Sequence, residues 1–143
     1  MPQDDVFAPS WAPRMLSVLR IMTALLFLAH GTQKLFGFPT PQYQPDFLTL
    51  SWFAAVIELV GGVLLTLGLF TRAAAFVCAG QMAFAYFIAH FPKSFFPAVN
   101  GGDAAVLFCF IFLYLFVAGG GAWSVDAALS LIHISEPTRQ EAI

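Results

Sequence analysis

Two long stretches without charge govern what this chain can fold into. Between Arg72 and Lys93 lie 20 residues with no Asp, Glu, Lys or Arg, and between Asp103 and Asp126 lie 22. A third stretch, Phe47 to Thr71, holds a single charge, Glu58. A bilayer core of about 30 Å takes about 20 helical residues at about 1.5 Å each, so each stretch has the length of a membrane span. A fourth, about Arg14 to Phe36, is more polar. It still qualifies, because Arg14 and Arg20 can snorkel to one interface and Lys34 to the other.

Composition agrees. Only 10% of the 143 residues are charged and 59% are hydrophobic, against roughly 25% charged in ordinary soluble domains. So few charges cannot coat a water-facing surface, which excludes a soluble globular enzyme and a disordered chain. The net charge of -2 argues against nucleic acid as a partner. The expected fold class is all-α, a polytopic membrane four-helix antiparallel bundle with interfacial outer loops. Its spans are expected at about 14–36, 47–70, 72–91 and 103–122, within one domain over 14–129. Residues 1–13 read as a polar N-terminal tail. Residues 130–143 change to polar composition and read as a non-native, adapter-like tail. The first span resembles a signal peptide only loosely, since Leu28-Ala29-His30-Gly31 is a poor cleavage site.

On this layout Arg14, Arg20 and Arg72 lie at one side and Lys34 and Lys93 at the other. The positive-inside rule then puts both termini in the cytoplasm. The two outer connections are long and rich in proline and aromatics, with Phe91, Phe95 and Phe96 in the second. Such segments fit loops lying in the membrane interface. Asn100-Gly101-Gly102-Asp103 reads as a turn whose glycines permit positive φ, with Asp103 capping the last helix. Gly119-Gly120-Gly121 ends that helix, and Ser124-x-Asp126 opens a short interfacial element. The two cysteines, Cys78 and Cys109, stand in apolar runs without metal-ligand spacing and read as small buried hydrophobes.

An ionisable residue in a span needs a reason to be there. Arg20, Thr23, Phe27, His30 and Lys34 step by three and four along one face of the first helix, which must point inward. Glu58, Gly61, Leu65 and Gly68 do the same on the second, with Gly62 beside them, and glycine there admits a close neighbour. On the third, Gln81 lies among Ala74, Cys78 and Ala85. At helical rise Glu58 and Gln81 fall at one depth, about 14–16 Å from their respective sides, and His30 about 9 Å from the outer side. A polar pocket of His30, Glu58 and Gln81 is therefore expected, with Lys34 and His90 nearer its mouth. Glu58 is read either as a hydrogen-bonded carboxyl locking helices together or as a proton-transferring or ligand-orienting group. Haem ligation by His30 and His90 is disfavoured, since there is one pair only and no other haem signal. No metal is expected, for want of closely spaced N/S ligands. The aromatic, glycine-lined interior suits a flat apolar ring compound such as a quinone.

Five motifs in order carry a resemblance. His30-Gly31-x-x-Lys34-Leu35, Glu58-Leu-Val-Gly-Gly62, Leu67-Gly-Leu-Phe-Thr-Arg72, Asn100-Gly101-Gly102-Asp103, and Gly119-Gly-Gly121 with Ser124-x-Asp126 together resemble the DoxX family of small bacterial membrane proteins. Asp103 stands where glutamate is common in that family. The resemblance covers about Arg14 to Leu129. It implies a four-helix bundle in the bacterial inner membrane, and it gives Arg20, Gly61, Gly62, Arg72, the Asn-Gly-Gly-Asp turn, Ser124 and Asp126 structural parts. For function it implies a subunit of, or an accessory to, a quinone-linked oxidoreductase or redox-stress system. The alternatives are a non-catalytic assembly subunit of a membrane complex or a small-solute or proton transporter. Expected partners are the lipid bilayer and a membrane-complex protein or a second copy of the chain.

Overall fold

A computed structural model of the chain describes residues 8–135 apart from Gln42, and among these every regular element is helical. Helix α1 runs Ala8–Phe36, α2 Leu50–Leu67, α3 Thr71–Ala85, α4 Pro97–Asn100, α5 Asp103–Ala118 and α6 Val125–Ser135. Between α3 and α4 the chain makes one π-helical turn, Tyr86–His90, and a short 3-10 turn, Phe91–Lys93. Among the described residues three segments are long and apolar enough to cross a membrane: Ser10–Phe36, Leu50–Leu67 and Thr71–Lys93. Helix α5 is apolar but shorter, at 16 residues.

Several bounds differ from those expected, for local reasons. Helix α1 begins at Ala8, ahead of Arg14, and carries Pro13 within it. Pro13 is the sixth residue of the helix, past its first turn, so the helix forgoes one backbone hydrogen bond there. Helix α6 continues past residue 130 to Ser135, while residues 1–7 and 136–143 of the two expected tails lie outside the described residues. Pro92 accounts for the end of α3, since its ring would clash with the carbonyl four residues earlier. The chain widens there, and the Phe91 amide reaches back to the Tyr86 carbonyl.

Helix α3 turns mostly small residues inward and large ones outward. On α3, Ala74, Ala75, Cys78, Ala79 and Met82 are buried, while Phe76, Val77 and Phe84 are exposed. In water that arrangement would aggregate, whereas in a bilayer the outward side chains meet lipid and the small ones let backbones close up. Helix α1 packs mainly along α2, and α3 along α5. Two glycines set the first contact. A Cβ on Gly31 would stand 2.8 Å from the Leu59 nitrogen, and one on Gly62 would stand 2.8 Å from the Cβ of Leu28. Phe27 crosses from α1 to α5, edge-on to Phe112 at 4.8 Å and tilted to Phe108 at 5.6 Å.

One end of the molecule is closed by Arg20, which is fully buried. Its Nε donates to the Leu65 carbonyl at 2.9 Å, its Nη1 to the Gly120 carbonyl, and its Nη2 to the Trp123 carbonyl at 2.7 Å. These acceptors belong to the last turn of α2 and to the segment after α5. Ser17, one turn earlier on α1, donates to the Gly120 carbonyl at 3.0 Å and accepts from the Trp123 amide at 2.9 Å. The Ala122 amide reaches the Pro13 carbonyl at 3.0 Å. Helix α2 ends at Gly68 in the left-handed region (φ 70°), and the amides of Gly68 and Leu69 return to the Leu65 and Leu64 carbonyls. A side chain at Gly68 would strike both Ser124 and the Arg20 guanidinium.

The Ser124-x-Asp126 motif divides two capping tasks. The Ser124 hydroxyl accepts from the Ala127 amide at 3.1 Å and so caps its own helix, α6. Asp126 turns away to the start of α3, where its two carboxylate oxygens accept from the Phe70 and Thr71 amides, each at 2.9 Å. Phe70 stands at φ 50°, a conformation that costs an aromatic residue energy, and the carboxylate offsets that cost. Burial raises the Asp126 carboxyl, but the hydrogen bonds from Thr71 and Phe70, with the Arg20 charge behind them, outweigh it and hold the group below its usual range.

Two outcomes follow from this closure. Replacing Arg20 with Met removes three charge-assisted hydrogen bonds, leaving the Gly120 and Leu65 carbonyls only the Ser17 hydroxyl and the Gly68 amide, and is expected to cost about 3 kcal/mol of stability. Arg20→Lys restores only part of it, because an ammonium lacks the planar fork. Thermal unfolding in detergent measures both. A depressed carboxylate stabilises above its unfolded value of about 4 and loses that contribution as pH falls through the lower folded value. The melting midpoint should therefore drop on acidification below about pH 4, and Asp126→Asn should flatten that drop.

Candidate functional site

At the other end of α1, Lys34 lies in the last turn and Glu58 in the middle of α2. The close approach at Gly31 puts the α1 backbone against the backbone of Glu58 and Leu59, so a lysine one turn further on reaches the carboxylate. Lys34 Nζ donates to Glu58 Oε1 at 2.8 Å. The lysine is 35% exposed and the glutamate 2%. From α3, Gln81 Nε2 donates to the same Oε1 at 3.3 Å. Three helices thus meet at one carboxylate oxygen.

The second oxygen differs. Glu58 Oε2 and Gln81 Oε1 are both buried and have no hydrogen-bond partner among the described residues. A carboxylate accepts only, so Gln81 must turn its amide nitrogen toward Glu58 and its oxygen away. The result is two unsatisfied acceptors within the span, each costing about 1–3 kcal/mol. Such a pair can accept hydrogen bonds from a water or from a donating group on a ligand, and Oε2 can take a proton. Beneath them, Cys78 Sγ fills the notch left by Gly61.

Lys34, Glu58 and Gln81 come together, while the two histidines expected with them do not. His30 is exposed and lies edge-on to Phe108 of α5, with ring centroids 6.1 Å apart. The cause is one step of helical phase, since Gly31, four residues after Phe27, takes the contact with α2 and turns His30 about 100° aside. His90 belongs to the outer connection, where its Nδ1 lies 3.1 Å from the Asn100 carbonyl and its ring stacks on Tyr86.

Asn100 is the knot of that connection. Its Nδ2 donates to Tyr86 Oη at 3.2 Å and to the Ser94 carbonyl at 2.9 Å, and its Oδ1 accepts from the Gly102 amide at 2.8 Å. Of the two glycines, Gly101 takes positive φ (74°), whereas Gly102 stands at φ −95° and is needed for room against Tyr86. Asp103 is not the cap expected of it. Gly102 holds the N-cap position, and Asp103 is the first helical residue, where its charge favours the helix dipole. Arg72 is exposed, and its guanidinium lies over Gly119. Ser17 and Gly31, central to the two ends, were not singled out as packing residues from sequence. Their spacing of three and four from Arg20 and Phe27 was the available signal.

The DoxX family profile matches residues 15–91. A protein of Haemophilus influenzae described as uncharacterized is 42% identical over 122 residues, covering 81% of this chain and 91% of the relative. No solved structure matches the chain. The matched region holds Arg20, Lys34, Glu58 and Gln81, and the chain is a membrane protein belonging to the DoxX family.

Proposed function

We propose that the chain is the inner-membrane subunit of a quinone-linked redox assembly, with Lys34, Glu58 and Gln81 as its ligand-orienting and proton-exchanging site. The observation that carries this reading is the pair of unsatisfied acceptors, Glu58 Oε2 and Gln81 Oε1, beside a lysine that bonds only the other oxygen. A carboxylate so placed can take a proton from a bound hydroxyl while Lys34 steadies the remaining charge. A flat ring compound suits the setting, because the surroundings are apolar apart from these groups. In this reading α5 crosses as a fourth span. Its 16 residues reach about 24 Å, and the turns at its ends extend that toward both interfaces. Arg14, Arg20 and Arg72 at one end favour both termini on the cytoplasmic side.

Glu58→Gln keeps shape and removes the charge. It should weaken binding of a short-chain quinol, the reduced form that carries donating hydroxyls, by about tenfold, roughly 1.4 kcal/mol, while membrane insertion and extraction stay normal. Unchanged binding by that variant overturns the reading.

A second reading is an assembly subunit, favoured by one observation. Phe95 and Phe96 are 71% and 64% exposed and stand edge to face on a connection that Asn100 holds rigid. If they dock a partner, a stoichiometric protein should co-purify with the wild type and be lost from the Phe95→Ala, Phe96→Ala double variant.

A further inference from the structure

The Arg20 end has a feature that neither the closure nor the Glu58 site uses. A cleft of about 840 Å³ opens there between the start of α1, the start of α3 and the end of α5, floored by Gly119–Gly121. A second, wholly apolar groove of about 390 Å³ runs along α2 and α3, from Phe70 and Ala73 past Leu64 and Val60 to Val56. The two share Phe70 and Ala73 in their walls and so adjoin at the turn between α2 and α3. The groove covers about 12 Å of helix between Leu64 and Val56, which with the turn is close to one leaflet of a bilayer core of about 30 Å.

Charge decides what fits the wider cleft. Asp126 lines it, but both carboxylate oxygens are taken by the Phe70 and Thr71 amides. Arg20 lies beneath, fully buried, with each of its three nitrogens bonded to a carbonyl. That leaves Arg72, exposed, its guanidinium 3.4–3.8 Å from where a Gly119 side chain would begin. That is ordinary contact distance, and what calls for glycine at 119 is its φ of 82°. Tyr114, also in the wall, is 57% exposed, as befits an aromatic at the headgroup level.

We infer that the two cavities together form a binding site for one anionic phospholipid of the adjoining leaflet. Arg72 takes the headgroup phosphate in the cleft, and one acyl chain lies in the groove between α2 and α3. A cation, a cleft at the interface and an apolar trough of one leaflet's depth, joined end to end, match the three parts of such a lipid. Lys34, Glu58 and Gln81 line neither cavity, although the groove shares Gly61 and Cys78 with the floor of their site, and the inference does not depend on the function proposed above.

The test uses the detergent-purified full chain and its own helices. Dioleoyl phosphatidylglycerol should raise the melting midpoint and remain bound in native mass spectrometry, with phosphatidylcholine and inorganic phosphate doing neither. Arg72→Gln should lower phosphatidylglycerol affinity about fivefold, the loss of one headgroup contact of about 1 kcal/mol, and Arg72→Lys should recover part of it. Ala73→Phe, at the junction of the cavities, should weaken retention with Arg72 intact. Equal retention of phosphatidylcholine overturns the inference, as does unchanged affinity in both variants. Stabilisation by inorganic phosphate alone overturns it too, leaving a simple anion site.

Discussion

The structure depends on how a fully buried arginine is satisfied without water. In hydrocarbon an unpaired guanidinium is untenable, and so are the carbonyls left over where helices end. Arg20 answers both needs at once, because its fork reaches Leu65 on the last turn of α2 and Gly120 and Trp123 beyond α5. The glycines around it follow from that demand. Gly68 and Gly120 both lack the Cβ that would meet the guanidinium. The fold at this end follows from one cation gathering carbonyls of two segments, the last turn of α2 and the stretch after α5.

The two ends of α1 are built on opposite terms. Around Arg20, the guanidinium, Ser17 and Asp126 are bonded to the end of α2, the stretch after α5 and the start of α3, and the Thr71 hydroxyl is the one buried group without a partner among the described residues. Around Glu58, one carboxylate oxygen has two donors and the other has none. Stability gained at the first end tolerates incompleteness at the second. That asymmetry is why the Glu58 site, and not the better-bonded Arg20 site, carries the functional reading.

Much of this was written in the pattern of charges and glycines. The uncharged runs located the helices, and the three-and-four spacing of Glu58, Gly61 and Leu65 marked a face that is indeed buried. Equal depth brought Gln81 to Glu58 across two helices. What escaped was phase and reach. The same spacing rule admits both His30 and Gly31 after Phe27, and only the backbone contact with Leu59 decides between them. Asp126 reads locally as part of its own helix start, yet its carboxylate caps α3, 55 residues earlier in the chain. His90 follows Pro92's distortion of the helix into the outer turn. Each miss is a tertiary choice between locally equal options.

The two ends are nevertheless one device, because α1 joins them as a rigid rod. Arg20 and Lys34 are fourteen residues apart, about 21 Å along the axis and nearly on the same face. Arg20 fixes the axial position of α1 against the end of α2, and Gly31 and Gly62 fix the distance between the two backbones. With both set, Lys34 has little freedom in where it meets Glu58. A disturbance that let α1 slide or rotate at the Arg20 end would be felt first where the bonding is thinnest, at the second oxygen of Glu58.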